Sequence, residues 1–174
     1  MFTKFYFDKD RCTGCGSCVV SCMDEYNINT RNAYRRLYQK EYQKEGKLHV
    51  DYYAIACQHC EDPPCLRVCP KGCFHIDEKT DFVLLNSAEC IGCKRCAQCC
   101  QFDAISYDLC NKATKCNGCI EKVRLGQQPK CVSDCFVQAI SLKKMTEEEH
   151  AMQMNQIQKA IVSNDRIGIW SGGR

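Results

Sequence analysis

Four runs of four cysteines constrain this chain more than any other feature of its sequence. The first run is Cys12-Thr-Gly-Cys15-Gly-Ser-Cys18-Val-Val-Ser-Cys22, with gaps of two, two and three residues. This spacing is typical of thiolates that ligate 4Fe-4S clusters, where three cysteines hold one cluster and the fourth reaches another. Such a run therefore needs a partner run. The other runs are Cys57, Cys60, Cys65 and Cys69; Cys90, Cys93, Cys96 and Cys100; and Cys116, Cys119, Cys131 and Cys135.

The 19 cysteines in 174 residues fit either a disulfide-rich secreted scaffold or a metal protein. Residues 1–11 show no basic stretch followed by an apolar one and no twin arginine, so we expect a cytoplasmic protein. Association with a membrane, or export, through a partner stays open. Because the cytosol is reducing, the clustered cysteines favour metal ligation over disulfides. No apolar stretch reaches the length of about 18 residues that predicts a membrane span.

The net charge of the chain depends on what the cysteines bind. The formal value is +3, which on its own would suggest a nucleic-acid partner. An oxidised 4Fe-4S cluster with its four thiolates carries about −2, so four clusters would bring the protein to about −5. We therefore expect no nucleic-acid partner, and we expect basic side chains to compensate buried anions.

Short apolar segments alternate with the cysteine runs. We predict strands at residues 3–7, 49–56, 82–85, 104–107 and 139–142, from their apolar, β-branched and aromatic residues. A ferredoxin-like fold has elements in the order strand, cysteine run, short helix and strand. This order occurs twice in the sequence. The sequence thus predicts an α+β protein with two ferredoxin-like lobes. The polar, tyrosine-rich residues 24–47 are either a solvated excursion whose tyrosines pack over clusters or a docking surface.

The tail differs from the rest because it contains no cysteine. Thr146-Glu-Glu-Glu149 is a capping box that predicts a helix running to about Val162. The helix either packs back on the domain or supports assembly, and Ile167-Gly-Ile-Trp170 favours assembly. Its predicted apolar face contains Met154, Ile157 and Ile161, with Gln153, Gln156 and Lys159 elsewhere.

The third run is ambiguous because Cys99 and Cys100 are adjacent. In the second and fourth runs, a small residue followed by an apolar one stands four positions after the fourth ligand. Ala104-Ile105 stands at that distance from Cys100, so Cys100 is the predicted ligand. Cys99 is then spare, as is Cys110, while Cys73 is predicted to be a small buried residue. The matching pairs are Cys69 with Cys73, Cys100 with Ala104, and Cys135 with Ala139.

Three positions depart from a simple cluster pattern. Gln101 and Phe136 stand where proline usually follows the fourth cysteine, which predicts altered cluster potentials through hydrogen bonding. His59 lies within a run whose four thiolate positions are filled, so packing or hydrogen bonding is favoured over ligation. The fourth run, taken alone, also fits a four-cysteine zinc site. The presence of three other runs with cluster spacing favours an iron-sulfur cluster.

With its four runs fixed, the chain resembles the iron-sulfur subunits of the dimethyl sulfoxide reductase family. This group includes subunits of formate dehydrogenases and of formate hydrogenlyase-type complexes. The likeness covers residues 5–142 and leaves out the tail from Met145. It is carried by Arg11-Cys-Thr-Gly-Cys15, Tyr34-Arg-Arg-Leu-Tyr38, Cys57-Gln-His-Cys-Glu-Asp-Pro-Pro-Cys65, Cys90-Ile-Gly-Cys93 and Lys115-Cys-Asn-Gly-Cys119.

The resemblance implies that the runs pair in a nested way, first with fourth and second with third. Residues 1–50 and 106–144 would form one lobe, residues 51–105 an inserted second lobe, and residues 145–174 a tail for assembly or docking. The implied ligand sets are Cys12, Cys15, Cys18 and Cys135 (set 1); Cys22, Cys116, Cys119 and Cys131 (set 2); Cys57, Cys60, Cys65 and Cys100 (set 3); and Cys69, Cys90, Cys93 and Cys96 (set 4).

We expect a subunit that conducts electrons and has no catalysis of its own, because no catalytic triad, phosphate loop or dinucleotide fingerprint is present. The resemblance implies four 4Fe-4S clusters and a molybdenum- or tungsten-pterin catalytic partner. A second redox subunit, such as a hydrogenase, a flavoprotein or a membrane anchor, would complete the path. The alternative is a free polyferredoxin carrier or a cluster-based redox sensor.

Overall fold

A computed structural model describes residues 2–162 of the chain. Its secondary structure is a mixture of helices and small sheets, as predicted. The strands are β1 (Phe2–Phe7), β2 (Arg36–Lys44), β3 (Lys47–Ile55), β4 (Phe74–Ile76), β5 (Val83–Leu85), β6 (Ile105–Tyr107), β7 (Ala113–Lys115) and β8 (Ile140–Met145). The helices are α1 (Ser17–Tyr26), α2 (Pro64–Arg67), α3 (Arg95–Gln98), α4 (Ile120–Arg124), α5 (Lys130–Ser133) and α6 (Glu147–Val162), with 3₁₀ turns at Thr30–Asn32 and Ser87–Glu89.

The strands form antiparallel pairs, and one pair joins the two ends of the cysteine-bearing region. β1 pairs with β8, from Phe2 opposite Met145 to Phe7 opposite Ile140. The other pairs are β2 with β3, β4 with β5, and β6 with β7. The five predicted strands correspond to β1, β3, β5, β6 and β8 with shifts of a few residues. Their partners β2, β4 and β7 escaped prediction because they are polar or only three residues long.

The interior consists of three apolar clusters, and each of them includes cysteines. One surrounds Phe5, Val19 and Phe82 and contains Cys18 and Cys131. The other two contain further predicted ligands or pack against them. Phe82 is fully buried and stacks on Phe5, with ring centroids 5.8 Å apart. Because Phe82 lies between the second and third cysteine runs, this contact ties the middle of the chain to its first strand.

The segment 24–47 is not one solvated excursion. Ala33, Arg35 and Tyr38 are buried, and the rings of Tyr26 and Tyr34 pack against each other with centroids 5.2 Å apart. Only the tip of the β2–β3 hairpin, residues 43–50, is exposed throughout. Packed tyrosines therefore extend as far as Tyr38, and the continuously exposed surface begins at residue 43.

Helix α6 begins with the predicted capping box. The Thr146 N–H donates to Glu149 Oε2 at 2.8 Å, and the Glu149 N–H donates to Thr146 Oγ1 at 3.2 Å. The helix packs against β1, β2 and β3, and Ile157 and Ala160 are buried there. This packing confirms the first of the two expected roles. The apolar segment Ile167–Trp170 that favoured assembly lies outside the described residues.

Gln153 corrects the predicted face of this helix. We expected it away from the apolar face, but it is only 6% exposed. Its Oε1 accepts a hydrogen bond from the Phe7 N–H at 2.9 Å, and its Nε2 donates to the Phe5 carbonyl oxygen at 2.7 Å. The amide is buried because it completes the open hydrogen-bonding edge of β1. No helix within residues 2–162 is long and apolar enough to cross a membrane.

Candidate metal centre

Three cavities in the structure are each lined by four of the predicted ligands, drawn from two different runs. Cys12, Cys15 and Cys18 share the first cavity with Cys135, which lies 117 positions beyond Cys18 in the sequence. Another cavity is lined by Cys69 together with Cys90, Cys93 and Cys96. A third, of about 480 Å³, is lined by Cys57, Cys60, Cys65 and Cys100, with Cys99 at its wall.

The remaining predicted ligands, Cys22, Cys116, Cys119 and Cys131, are all buried. Burial raises the pKa of Cys22 to about 12, and the Cys131 and Cys119 thiolates add to that rise while Arg35 opposes it. Burial likewise raises the pKa of Cys116, with the Cys22 thiolate the strongest charged contributor. Charge interactions of this kind act between nearby groups. They indicate that thiols of the first and fourth runs lie near one another, as in the three cavities.

Each run opens with a turn that needs a left-handed backbone at its third position. Gly14, Gly92 and Gly118 stand there with φ of 73°, 68° and 76°. A Cβ on Gly14 would meet the ring of Tyr52 at 2.5 Å, and one on Gly118 would meet the ring of Phe82. In the second run the same position is occupied by His59, with φ of 49°. Glycine thus allows both the turn and the close approach of an aromatic ring.

His59 has the packing and hydrogen-bonding role that its sequence position indicated. It is fully buried, and its Nδ1 accepts a hydrogen bond of 3.0 Å from the Val83 N–H. Its ring lies 4.6 Å from that of Phe82 and 5.9 Å from that of Phe5, centroid to centroid. Burial holds the pKa of His59 well below its usual value, so the ring is neutral. These contacts offset the cost of a left-handed conformation in a residue other than glycine.

The fourth cysteines of the second, third and fourth runs each accept the same type of hydrogen bond. In each run, the backbone N–H of the residue four positions later donates to the Sγ atom, which is the register predicted from the sequence. The pairs are Cys73 to Cys69 at 3.4 Å, Ala104 to Cys100 at 3.4 Å, and Ala139 to Cys135 at 3.2 Å. The small residue at this position lets the backbone approach the sulfur, and Cys73 is buried there at 3% exposure.

The residues present suit anionic iron-sulfur clusters. At least four thiols line each cavity, with Cys73 and Cys99 as the additional ones. Backbone N–H groups point at sulfur, including those of Gly92 and Ala113 toward Cys90 Sγ and of Gly118 toward Cys116 Sγ. Such donors stabilise thiolates bound to iron and tune cluster potentials. Cys15 differs from the buried thiols, because the Ser17 side chain and backbone hold its pKa below the ordinary value.

The zinc alternative for the fourth run requires Cys135 to join Cys116, Cys119 and Cys131. The structure instead places Cys135 at the cavity of Cys12, Cys15 and Cys18. A site made of the four cysteines of the fourth run is therefore not the arrangement that the structure has.

Two families described as 4Fe-4S dicluster domains match the chain, over residues 48–145 and 11–73. The B subunit of anaerobic dimethyl sulfoxide reductase from Haemophilus influenzae is 39% identical over 153 residues, covering 82% of this protein and 74% of the relative. The B subunit of the same reductase from Escherichia coli K12 is 36% identical over 152 residues, covering 82% of this protein and 74% of the relative. The thiosulfate reductase electron transfer subunit of Salmonella typhi is 32% identical over 146 residues, covering 82% of this protein and 76% of the relative.

The chain belongs to the iron-sulfur electron-transfer subunits of the dimethyl sulfoxide reductase family. The two dicluster matches correspond to four 4Fe-4S clusters, the cofactors that the cysteine runs predicted. Members of this group are the electron-transfer subunits of reductases, and the present subunit is likewise non-catalytic. The resemblance carried by the cysteine runs is therefore confirmed.

Sequence reasoning anticipated basic compensation in this iron-sulfur subunit but did not find the residues that supply it. Lys4, Arg35 and Lys115 are buried at 1%, 4% and 6% exposure. Arg35 donates to the Ala54 carbonyl oxygen at 2.7 Å, and Lys115 to that of Cys116 at 2.6 Å. Both residues stand in motifs that carry the family resemblance, Tyr34-Arg-Arg-Leu-Tyr38 and Lys115-Cys-Asn-Gly-Cys119, but the motifs alone do not show that these side chains are buried.

The three cysteines left without a ligand role in this subunit have different surroundings. Cys73 is buried, which agrees with the prediction of a small interior residue. Cys99 is partly buried, and its Sγ donates to the Cys96 carbonyl oxygen at 3.2 Å. Cys110 is exposed on the turn between β6 and β7.

Proposed function

We propose that this subunit relays single electrons between a pterin-bound molybdenum or tungsten catalytic subunit and a second redox subunit. Formate dehydrogenase or a related oxidoreductase is the proposed catalytic partner, and a hydrogenase, a flavoprotein or a membrane anchor the second. Support comes from relatives named as dimethyl sulfoxide reductase and thiosulfate reductase subunits. Each cluster, when bound, supplies a one-electron redox centre, while the catalytic chemistry belongs to the partner.

The observation that carries the proposal is that three cavities each gather four of the predicted ligands from two runs. We propose that the chain's thiolates hold one cluster in each set, with Cys99, Cys73 and Cys110 unused. The sets are Cys12, Cys15, Cys18 and Cys135; Cys22, Cys116, Cys119 and Cys131; Cys57, Cys60, Cys65 and Cys100; and Cys69, Cys90, Cys93 and Cys96.

The order of the relay follows from electrostatic contacts between the sets. Cys131 of set 2 adds to the rise in the pKa of Cys18 of set 1, which is caused chiefly by burial. Cys57 of set 3 adds in the same way to the rise in the pKa of Cys116 of set 2, again chiefly caused by burial. These interactions support the order of sets 1, 2 and 3, and the apolar cluster that Cys65 of set 3 shares with Cys96 of set 4 supports set 4 as the last.

The exposure of the thiols supports the same order. Cys15 of set 1 and Cys93 of set 4 are exposed, whereas all four thiols of set 2 are buried. We propose that electrons enter and leave at sets 1 and 4, because electron transfer to a partner requires a short distance at the surface. The apolar side chains beside these ends, Phe136 at 71% and Ile91 at 60% exposure, are available for contact with partners.

The two-lobe division is part of the same proposal. Residues 1–50 with 106–144 would form the lobe of sets 1 and 2, and residues 51–105 the inserted lobe of sets 3 and 4. The pairing of β1 with β8 supports this nesting because it joins the two parts of the outer lobe. The proposed boundaries fall within β3 and at the start of β6, so these strands pass from one lobe to the other.

We propose a cytoplasmic location, with any membrane association or export supplied by a partner. The tail of residues 145–174 is assigned to docking or assembly, and its part in self-assembly would rest on residues after α6. The apolar side of α6 is occupied, since Ile157 and Ala160 pack against the subunit itself. We propose no nucleic-acid partner, because the net charge with four clusters would be about −5.

Single Cys→Ser substitutions test the ligand sets. One ligand is changed per set, Cys15, Cys119, Cys60 or Cys93, and iron, sulfide and low-temperature EPR are measured on the anaerobic holoprotein. Each variant should lose or alter one reduced-cluster signal and leave the other three. Cys110→Ser is the matched control because Cys110 is exposed and outside every set. Loss of a signal in Cys110→Ser, or four intact signals in a ligand variant, would contradict the assignment.

A further inference from the structure

Lys115 lies at the junction between two of the cysteine sets. It ends β7, immediately before Cys116 of set 2, and its side chain lines the cavity of set 3. The Nζ atom donates to the Cys116 carbonyl oxygen at 2.6 Å and also to the carbonyl oxygen of Val83 on β5. One ammonium group therefore connects a ligand of set 2, the cavity of set 3 and a strand of the proposed inserted lobe.

The surroundings of Lys115 supply dipoles but no carboxylate. Its side chain is buried, and within residues 2–162 no Asp or Glu forms an ion pair with it. A buried ammonium group without an anionic partner is costly. The anions available on either side would be the proposed clusters, since Lys115 bonds the backbone of Cys116 of set 2 and lines the same cavity as Cys65 of set 3.

We propose that Lys115 is a positioning residue that raises the reduction potentials of the two clusters it separates. The inference rests on the proposed ligand sets. One-electron reduction adds a negative charge to a cluster without a proton, and the electron comes from the partner upstream in the relay. A fixed positive charge in the low-dielectric interior favours that added charge on either side. Lys115 thereby stabilises the electron while it is on either of the two middle clusters of the proposed relay.

The test is a dithionite redox titration of the full-length holoprotein followed by EPR. In Lys115→Met, the reduced-to-oxidised ratio of two clusters at a fixed potential should fall at least tenfold, equivalent to about 59 mV for a one-electron couple. The other two clusters should stay within threefold of the unaltered protein. Lys115→Arg, which keeps the charge, should restore most of the ratio.

Lys112→Met is the matched control. Lys112 lies on the same segment and also donates to a backbone carbonyl oxygen, that of Ala88 at 2.6 Å, but its side chain lies at the surface. It should leave all four midpoints unchanged. Equal midpoints in Lys115→Met and the unaltered protein, at equal iron content, would overturn the inference, as would an equal shift in Lys112→Met.

The Cys→Ser variants of sets 2 and 3 identify which two signals should move. If Cys119→Ser and Cys60→Ser each remove one signal and Lys115→Met moves neither, the role of Lys115 fails and the ligand sets stand. If those cysteine variants do not remove separate signals, the ligand sets fail and the inference with them. If Lys115→Met loses iron, Lys115→Gln is titrated instead, with the same expected shift.

Discussion

The guanidinium of Arg35 donates a hydrogen bond of 2.7 Å to the carbonyl oxygen of Ala54, a residue that lines the cavity of Cys12, Cys15, Cys18 and Cys135. Arg35 also faces the neighbouring set. Burial raises the pKa of Cys131, and a hydrogen bond from Arg35 opposes that rise. One permanent positive charge, which no protein environment removes, therefore lies between the first two cysteine sets.

Replacing Arg35 by methionine should lower the midpoint potentials of the two clusters bound by sets 1 and 2. The reason is the loss of a buried positive charge that favours reduction. We expect a drop of at least tenfold in the reduced-to-oxidised ratio at fixed potential, about 59 mV for a one-electron couple. Arg31→Met is the control because Arg31 is exposed. Potentiometric EPR checks the result, and equal midpoints in all three proteins would contradict it.

The Gln153 side chain should be required for the docking of α6. Gln153→Leu leaves the Phe7 N–H and the Phe5 carbonyl oxygen buried without their partners. The expected loss of stability is about 2 to 5 kcal/mol, from two unsatisfied backbone groups. Hydrogen exchange over α6 and β1 should accelerate accordingly. Gln156→Leu is the control, since Gln156 is exposed on the same helix. Similar exchange in both variants would show that the amide is dispensable.

Gly118 should tolerate alanine much less well than Gly72. Both have a positive φ, 76° and 59°, so alanine costs about 1 kcal/mol at each. Only Gly118 faces an aromatic ring, that of Phe82, while nothing lies within 4 Å of a Cβ at Gly72. Overpacking should add about 1 to 3 kcal/mol in Gly118→Ala. Thermal denaturation of the two holoproteins compares them, and equal melting temperatures would refute the packing argument.

Removal of iron should unfold most of the protein. Cysteines take part in each of the three apolar clusters, so the interior includes the metal ligands themselves. The free energy of cluster binding is then part of the free energy of folding. Anaerobic chelation should abolish the cooperative thermal transition, and reconstitution with iron and sulfide under reducing conditions should restore it. A cooperative transition in the iron-free chain would contradict this expectation.

The register of the fourth cysteines was predictable because it depends only on local spacing. The register of Cys69, Cys100 and Cys135 against the residue four positions later recurs as an N–H bond to sulfur. The capping box at Thr146 was equally local, since both of its hydrogen bonds join residues three apart. Features of this kind are determined within a few residues, and the sequence is enough to find them.

The residues that the sequence did not reveal act over long distances. Gln153 contacts a strand almost 150 positions earlier, and Lys115 contacts Val83 across the third cysteine run. Their burial and their hydrogen-bond partners depend on tertiary structure and not on local pattern. For His59 the sequence predicted packing or hydrogen bonding, because the four thiolate positions of its run are filled. The partner, the Val83 N–H, and the left-handed backbone of His59 came only from the structure.

The most direct test of the electron relay is anaerobic purification of the subunit from its native cell, with iron and sulfide assays and identification of what copurifies. The account predicts about sixteen irons and sixteen sulfides per subunit. It also predicts a stoichiometric catalytic subunit containing molybdenum or tungsten, with a second redox subunit attached. Eight irons or fewer, bound zinc, or a solitary protein would contradict the relay and favour a free carrier or a redox sensor.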